Sequence, residues 1–279
     1  MQDARSCGIL RKVKKALGEA MPSIIKLDGV SKRFSLHHER PRSFQEALVN
    51  LFHRRGNWRE DFWALKDVSL EVYPGETLGI IGQNGSGKST LLKLMTRVLE
   101  PTEGTIMIGG RVSALIELGA GFHPDLTGRE NIYLNGSILG FTKREMDRKF
   151  DDIVAFSGLE RFLDTPIKHY SSGMYARLGF AVAIHVDPDI LITDEVLAVG
   201  DQEFRQKCLD QFWSFKRQQK TILMVSHDLQ SVQELCYRAI WLDNGRLRAE
   251  GDPQNVVAEY LRFVESPQSR VREAARTAS

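Results

Sequence analysis

The chain has 279 residues, 42% hydrophobic and 27% charged, enough to bury a core in one domain or one domain with a small appendage. A formal net charge of +2 argues neither for nor against nucleic acid, and no run of 18 apolar residues is available to span a bilayer. Cys7, Cys208 and Cys236 are scattered without CxxC spacing, so they give no disulfide framework and suit a reducing compartment.

In chain order, residues 1–22 read as a basic extension. Arg5, Arg11, Lys12, Lys14 and Lys15 accompany Ile9, Val13, Leu17 and Ala20 at helical spacing. Such a stretch is either a solvated tail or a segment that lies on an anionic membrane surface. It lacks the apolar core and cleavage site of a secretory signal, so the expectation is a protein kept in the cytoplasm. Strand patterns follow at 24–27 (continuing to Val30 and Phe34), at 68–72 and at 105–108, and alternation predicts an antiparallel sheet with one wet face. Between the first two, residues 36–62 place Phe44, Leu48, Leu51 and Phe52 on one helical face, predicting an inserted helix. The runs at 77–81, 190–192, 222–225 and 239–242 are continuously apolar, as in strands covered by helices on both faces. Residues 131–184 are helix-rich.

Gly82, Gln83, Asn84, Gly85, Ser86, Gly87, Lys88 and Ser89 match GxxxxGK[ST] between a predicted strand and a helix that opens with Thr90. Glycines allow a tight turn in which backbone N–H groups converge on phosphate, and the helix N-terminus adds partial positive charge. Lys88 is then placed to bridge β- and γ-phosphate oxygens of ATP, with the Ser89 hydroxyl on Mg²⁺. The strand at 190–192 runs into Asp194 and Glu195, where a first carboxylate suits Mg²⁺ and a second suits a general base that polarises water. On its own this is an ordinary strand end; joined to the phosphate loop it points to nucleotide hydrolysis. The strand at 222–225 ends at Ser226 and His227, and the histidine is placed either to sense a γ-phosphate or as a plain strand-end residue.

The order of these pieces resembles the ABC ATPase family over roughly residues 24–261. Tyr170, Ser171, Ser172, Gly173 and Met174 look like its LSGGQ signature, with Tyr for Leu, Ser for the first Gly and Met for Gln. The resemblance implies an α/β P-loop NTPase core with an antiparallel β subdomain and a helical signature subdomain near 125–186. The family domain then covers 23–262, followed by a polar tail over 263–279. It further implies that Ser171, Ser172 and Gly173 contact ATP held by a second copy of the chain, that Asp201 belongs to the loop at the dimer seam, and that Phe34 or Trp63 stacks on adenine. The family's metal-contacting glutamine has no counterpart in 115–122, where Glu117 is the nearest candidate.

The motifs at 117–131, 170–174 and 194–201, with Phe204, Lys207 and Cys208, resemble exporters of bacterial surface polysaccharides such as O-antigen, capsule or teichoic acid. The partners so implied are a second copy, an integral membrane permease and the lipid-linked polysaccharide it handles, with no nucleic acid; the place is the cytoplasmic face of the membrane. Export of a drug, lipid or other substrate, or a non-transport role, are the rival readings. Phe122, His123 and Leu126 are expected to be exposed and to dock the permease on a loop freed by Gly119, Gly121 and Gly128.

Overall fold

The computed structural model describes residues 22–37, 59–115, 119, 121–185, 187–194 and 200–266. Its chain order is β1 (Ile25–His37), β2 (Arg59–Val72), β3 (Thr77–Ile81), α1 (Lys88–Met95), β4 (Glu103–Ile108) and β5 (Val112–Ala114). Then come α2 (Gly128–Ile138), α3 (Lys143–Ser157), α4 (Ser172–His185), β6 (Ile190–Asp194), α5 (Gln202–Arg217), β7 (Thr221–Val225) and α6 (Leu229–Leu235). The order closes with β8 (Arg238–Asp243), β9 (Arg246–Gly251) and α7 (Pro253–Glu265).

Two sheets form. One is antiparallel with order β2-β1-β4; the other has six strands in order β5-β6-β7-β3-β8-β9, parallel except where β9 runs against β8. Strand side chains alternate, and this sorts the core. Leu78 and Ile80 of β3 join α1 and the inner face of the antiparallel sheet in one cluster, while Ile81 joins Phe180, Phe204, Phe212 and Val257 on the opposite face. The helix α1 is therefore enclosed between the sheets. A third cluster, built on Ile132, Met146, Ile153 and Leu178, lies within α2, α3 and α4. The antiparallel sheet has the wet face its alternation implied, with Met107 exposed.

Local signals set the helix starts. Thr127 with Glu130, and Thr142 with Glu145, form reciprocal capping boxes at α2 and α3. Asp252 caps α7, which has proline in its first turn.

Three expectations are corrected. The inserted helix does not begin at 36 or reach 62, because β1 and β2 stay paired through Phe34↔Phe62, Ser35↔Asp61, Leu36↔Glu60 and His37↔Arg59. The hydroxyl of Ser35 donates to Asp61 at 2.7 Å and Arg33 pairs with the same carboxylate at 3.1 Å, which holds this ribbon together in solvent. Phe44, Leu48, Leu51 and Phe52 lie outside the described residues. At the other end the chain stays helical to Glu265, beyond the boundary at 262, because Phe263 reaches back to Trp241 and covers Arg248. The third correction, at Phe122 and Leu126, belongs with the site below.

At the N-terminal end of the parallel strands, Arg238 forms two bonds to Glu76, at 2.7 and 3.0 Å, and also meets Glu250 and the Glu71 carbonyl. Both side chains of the Arg238–Glu76 pair are only 7% exposed. Removing one partner of a buried pair strands the other charge, whereas replacing both with apolar residues is often close to neutral. Arg238→Met alone should lose about 3–5 kcal/mol by urea unfolding. The Glu76→Met/Arg238→Met double variant should recover much of that; a double loss equal to the sum of the single losses would contradict this account.

Candidate nucleotide site

The parallel strands bring the sequence motifs to one level. Ile80 of β3 lies opposite Val225 of β7, and Val225 lies opposite Asp194 of β6. The phosphate loop after β3, the Ser226–His227 step after β7 and the end of β6 at Asp194 therefore lie side by side. Adjacent strands are about 4.8 Å apart, so the β3 and β6 exits are separated by about 10 Å. The β5 strand ends on the same edge, with Ala114 opposite Ile192. Glu117 and Glu195 lie outside the described residues.

The phosphate loop is shaped by contact as well as by sequence. Gly87, the N-cap of α1, has φ 105, and a Cβ there would fall 2.6 Å from the Ala64 carbonyl oxygen and 2.9 Å from Leu65. A third segment completes this junction: Gly245, in the turn between β8 and β9, donates to the Ser86 carbonyl at 2.9 Å and accepts from Lys66 N–H at 2.8 Å. Gly85, at φ 75, has nothing within 4 Å of where its Cβ would stand, so the outer side of the loop is open.

The Lys88 side chain is buried and donates to the carbonyls of Gly82 at 2.6 Å and Gln83 at 3.0 Å. Ser86 has a buried hydroxyl oxygen without a hydrogen-bond partner. Ser89 is exposed and Thr90 half-buried in the first turn of α1. Open space, a helix N-terminus, an ammonium and hydroxyls fit a polyphosphate. No group of three His, Cys, Asp or Glu residues that could hold a metal without such a ligand exists among the described residues.

Phe34 and Trp63 stand on adjacent strands. Arg33 is opposite Trp63 and Phe34 opposite Phe62. Direct partners share a face and successive residues alternate, so the two rings lie on opposite faces of the ribbon. Each ring carries a cation, Lys32 at 5.4 Å from Phe34 and Arg33 at 5.6 Å from Trp63.

The signature stretch forms the start of α4. Ser171 and Ser172 are exposed, and the Ser171 hydroxyl accepts from Met174 N–H at 3.2 Å. Met174 packs into the helical cluster, while Tyr170 bonds the Phe162 carbonyl at 2.8 Å. Farther along α4, Arg177 pairs with Asp201, and its guanidinium stacks 5.2 Å from Phe204. Asp201 caps α5 by accepting from Phe204 N–H at 2.9 Å, and that bond, with help from Arg177, holds its carboxyl below the usual range. His227 is exposed, and Asp228 after it caps α6.

Phe122 and Leu126 are half-buried rather than displayed. Phe122 meets Tyr175 edge-on at 5.3 Å, and buried Asn131 ties the loop backbone down through four hydrogen bonds to His123, Leu126 and Thr127. Gly128 belongs to α2, beneath the Tyr170 hydroxyl. Sequence reasoning did not single out Tyr175 or Arg177; their spacing of three to six residues from the signature serines was the available signal.

Residues 65–198 match the ABC transporter family. An O-antigen export system ATP-binding protein of Klebsiella pneumoniae is 44% identical over 86% of this chain and 98% of its own length. The chain belongs to the ABC transporter family. An O-antigen export ATP-binding protein of Myxococcus xanthus is 57% identical over 71% of the chain, which spans 45% of that relative's length. A teichoic acids export ATP-binding protein of Enterococcus faecalis is 48% identical over 84% of the chain and 52% of its own length. Among solved structures, a dimeric ATP-binding cassette in a post-hydrolysis state with ADP and Pi matches with TM-score 0.63 and 23% identity, over 82% of this chain and 98% of that one. The fold is thus the ABC ATPase form of the P-loop α/β class, with its antiparallel sheet and its helical subdomain.

Gly87→Ala and Gly85→Ala should separate contact from conformation. Both force a side chain into left-handed space, roughly 1–2 kcal/mol, but only the former drives it into backbone. Gly87→Ala should therefore unfold at clearly lower urea; equal midpoints for the two variants would refute the tight junction.

Proposed function

We propose that this ABC chain is the ATP-binding and ATP-hydrolysing subunit of an exporter for a lipid-linked surface polysaccharide. It works as a dimer against a membrane permease at the cytoplasmic face. The observation that carries the reading is the 44% identity to an O-antigen export ATP-binding protein across 98% of that protein. The order of motifs along one sheet edge supports the catalytic part.

In this reading the amides of 82–89, with Thr90, surround the phosphates, and Lys88 exchanges its two carbonyl partners for phosphate oxygens. Ser89 and Asp194 would hold Mg²⁺, with Glu117 as a further candidate, and the ion would supply charge neutralisation to the bound phosphates. Glu195 accepts a proton from the attacking water, and His227 contacts the γ-phosphate. Phe34, with Trp63 as the alternative, stacks on adenine. Ser171, Ser172 and Gly173 donate to the γ-phosphate bound by the second copy, and Asp201 lines the seam.

Glu195→Gln should bind ATP normally and turn it over about 10²–10⁴-fold more slowly, accumulating an ATP-bound dimer by size-exclusion chromatography. Unchanged turnover would remove Glu195 from the chemistry. In cells the same variant should leave lipid-linked glycan on the cytoplasmic side; continued glycan export with loss of another exported lipid or drug would reassign the substrate.

Ser172→Arg should abolish turnover while leaving ATP affinity of the isolated monomer within about twofold, as expected for a contact made in trans. Mixed with Lys88→Ala subunits, it should recover at most one of two sites. Loss of monomer affinity would put Ser172 in its own subunit's pocket.

A further inference from the structure

The loop leaving β5 is fastened to the signature helix by contacts that the catalytic roles above do not use. Tyr175 lays its ring against Gly119 and donates its hydroxyl proton to the Gly119 carbonyl at 3.0 Å. Gly119 has φ 77, and a Cβ there would fall 2.5 Å from the Tyr175 ring, so conformation and space both require glycine. The same ring meets Phe122 at 5.3 Å. At its backbone, Tyr175 donates to the Ser171 carbonyl at 2.9 Å. A single residue thus stands between the loop and the first signature serine, bonded to each.

We propose that Tyr175 is a positioning residue that joins Gly119 and Phe122 to the N-terminus of α4, so that a displacement of these two residues shifts Ser171 and Ser172 with it. Three observations support this. The hydroxyl bond gives the link direction, the ring fills the space over Gly119, and Ser171 is otherwise exposed, with its hydroxyl held only by Met174 N–H among the bonds formed within α4. The far end of the loop is anchored independently by Asn131, which is fully buried. The Tyr175 link and the Asn131 anchor are thus separate attachments of this segment. A link of this kind couples two sites only if both bias the same element, and here that element is the first turn of α4. The inference rests on the proposed action of the signature serines on ATP across the dimer.

The test is Tyr175→Phe in the full chain, which keeps the ring and deletes one hydroxyl. Turnover, normalised to chain competent to bind ATP, should fall about 2- to 10-fold, the range set by one neutral hydrogen bond. The KM for ATP should stay within about twofold, since Lys88 and its loop are untouched. Tyr175→Leu, which also removes the ring from Gly119 and Phe122, should lower kcat further at the same KM. A purely structural role would reduce the competent fraction and leave normalised kcat alone. Wild-type normalised kcat in Tyr175→Phe, or a rise in KM that accounts for the loss, overturns the link. If Ser172→Arg still abolishes turnover in that case, only the link falls; if Ser172→Arg turns over normally, the trans role itself is wrong.

Discussion

The close passage of three chain segments around Ser86 and Gly87 governs the rest of the molecule. The phosphate loop, β2 at Ala64 and Leu65, and the turn at Gly245 approach so nearly that neither glycine has room for a Cβ. Hydrogen bonds from Gly245 to Ser86 and from Lys66 to Gly245 fix that approach. As a result the antiparallel sheet, the central strand β3 and the far edge of the large sheet share one anchor point. The helix α1 starts there, and its apolar side closes the first core cluster. Protein interiors deform little under such close packing. A shift of the phosphate loop is then carried into both sheets.

The helix α4 plays the corresponding part on the other side of the site. Within its first two turns it holds the loop after β5 through Tyr175 and the start of α5 through Arg177 and Asp201. Phe156, Phe180 and Phe204 pack edge-on or stacked where α3, α4 and α5 meet, with ring centroids 5.5–6.0 Å apart. Two loops that leave different strands are thereby referred to one rigid helix. The exposed serines at the start of α4 are thereby tied both to Gly119 and to the start of α5.

Much of this was legible in the sequence because it rests on local chemistry. Gly82 to Ser89 state their own turn, and continuous apolar runs marked the buried strands β3, β6, β7 and β8. The short strand β5 escaped because three residues give alternation nothing to work on, and β9 because its inward positions, Leu247, Ala249 and Gly251, carry only one large apolar side chain. The ribbon at 59–62 read as helix because an exposed two-stranded extension has no core to impose a period on Phe62. Phe122 looked like a displayed anchor because its partner, Tyr175, is 53 residues away and invisible to any local window. In the candidate site the residue types were readable, whereas their mutual level, Ile80 with Val225 and Asp194, exists only in the sheet.

The strand order also fixes when the molecule can be completed during synthesis. The neighbours of β3 are β7 and β8, and contacts at its start, Gly75 to Thr221 and Glu76 to Arg238, join residues 146 and 162 positions apart. Until that later part of the chain emerges, β3 is a strand of apolar residues with neither native partner, and the phosphate loop lacks its Gly245 contact. The helices α2 and α3 face no such wait, since their capping boxes and mutual contacts are local. A nascent chain that has emerged only through α4 would therefore hold the helical cluster's own partners while β3 still lacks both neighbours, the condition in which a nascent chain depends on chaperones.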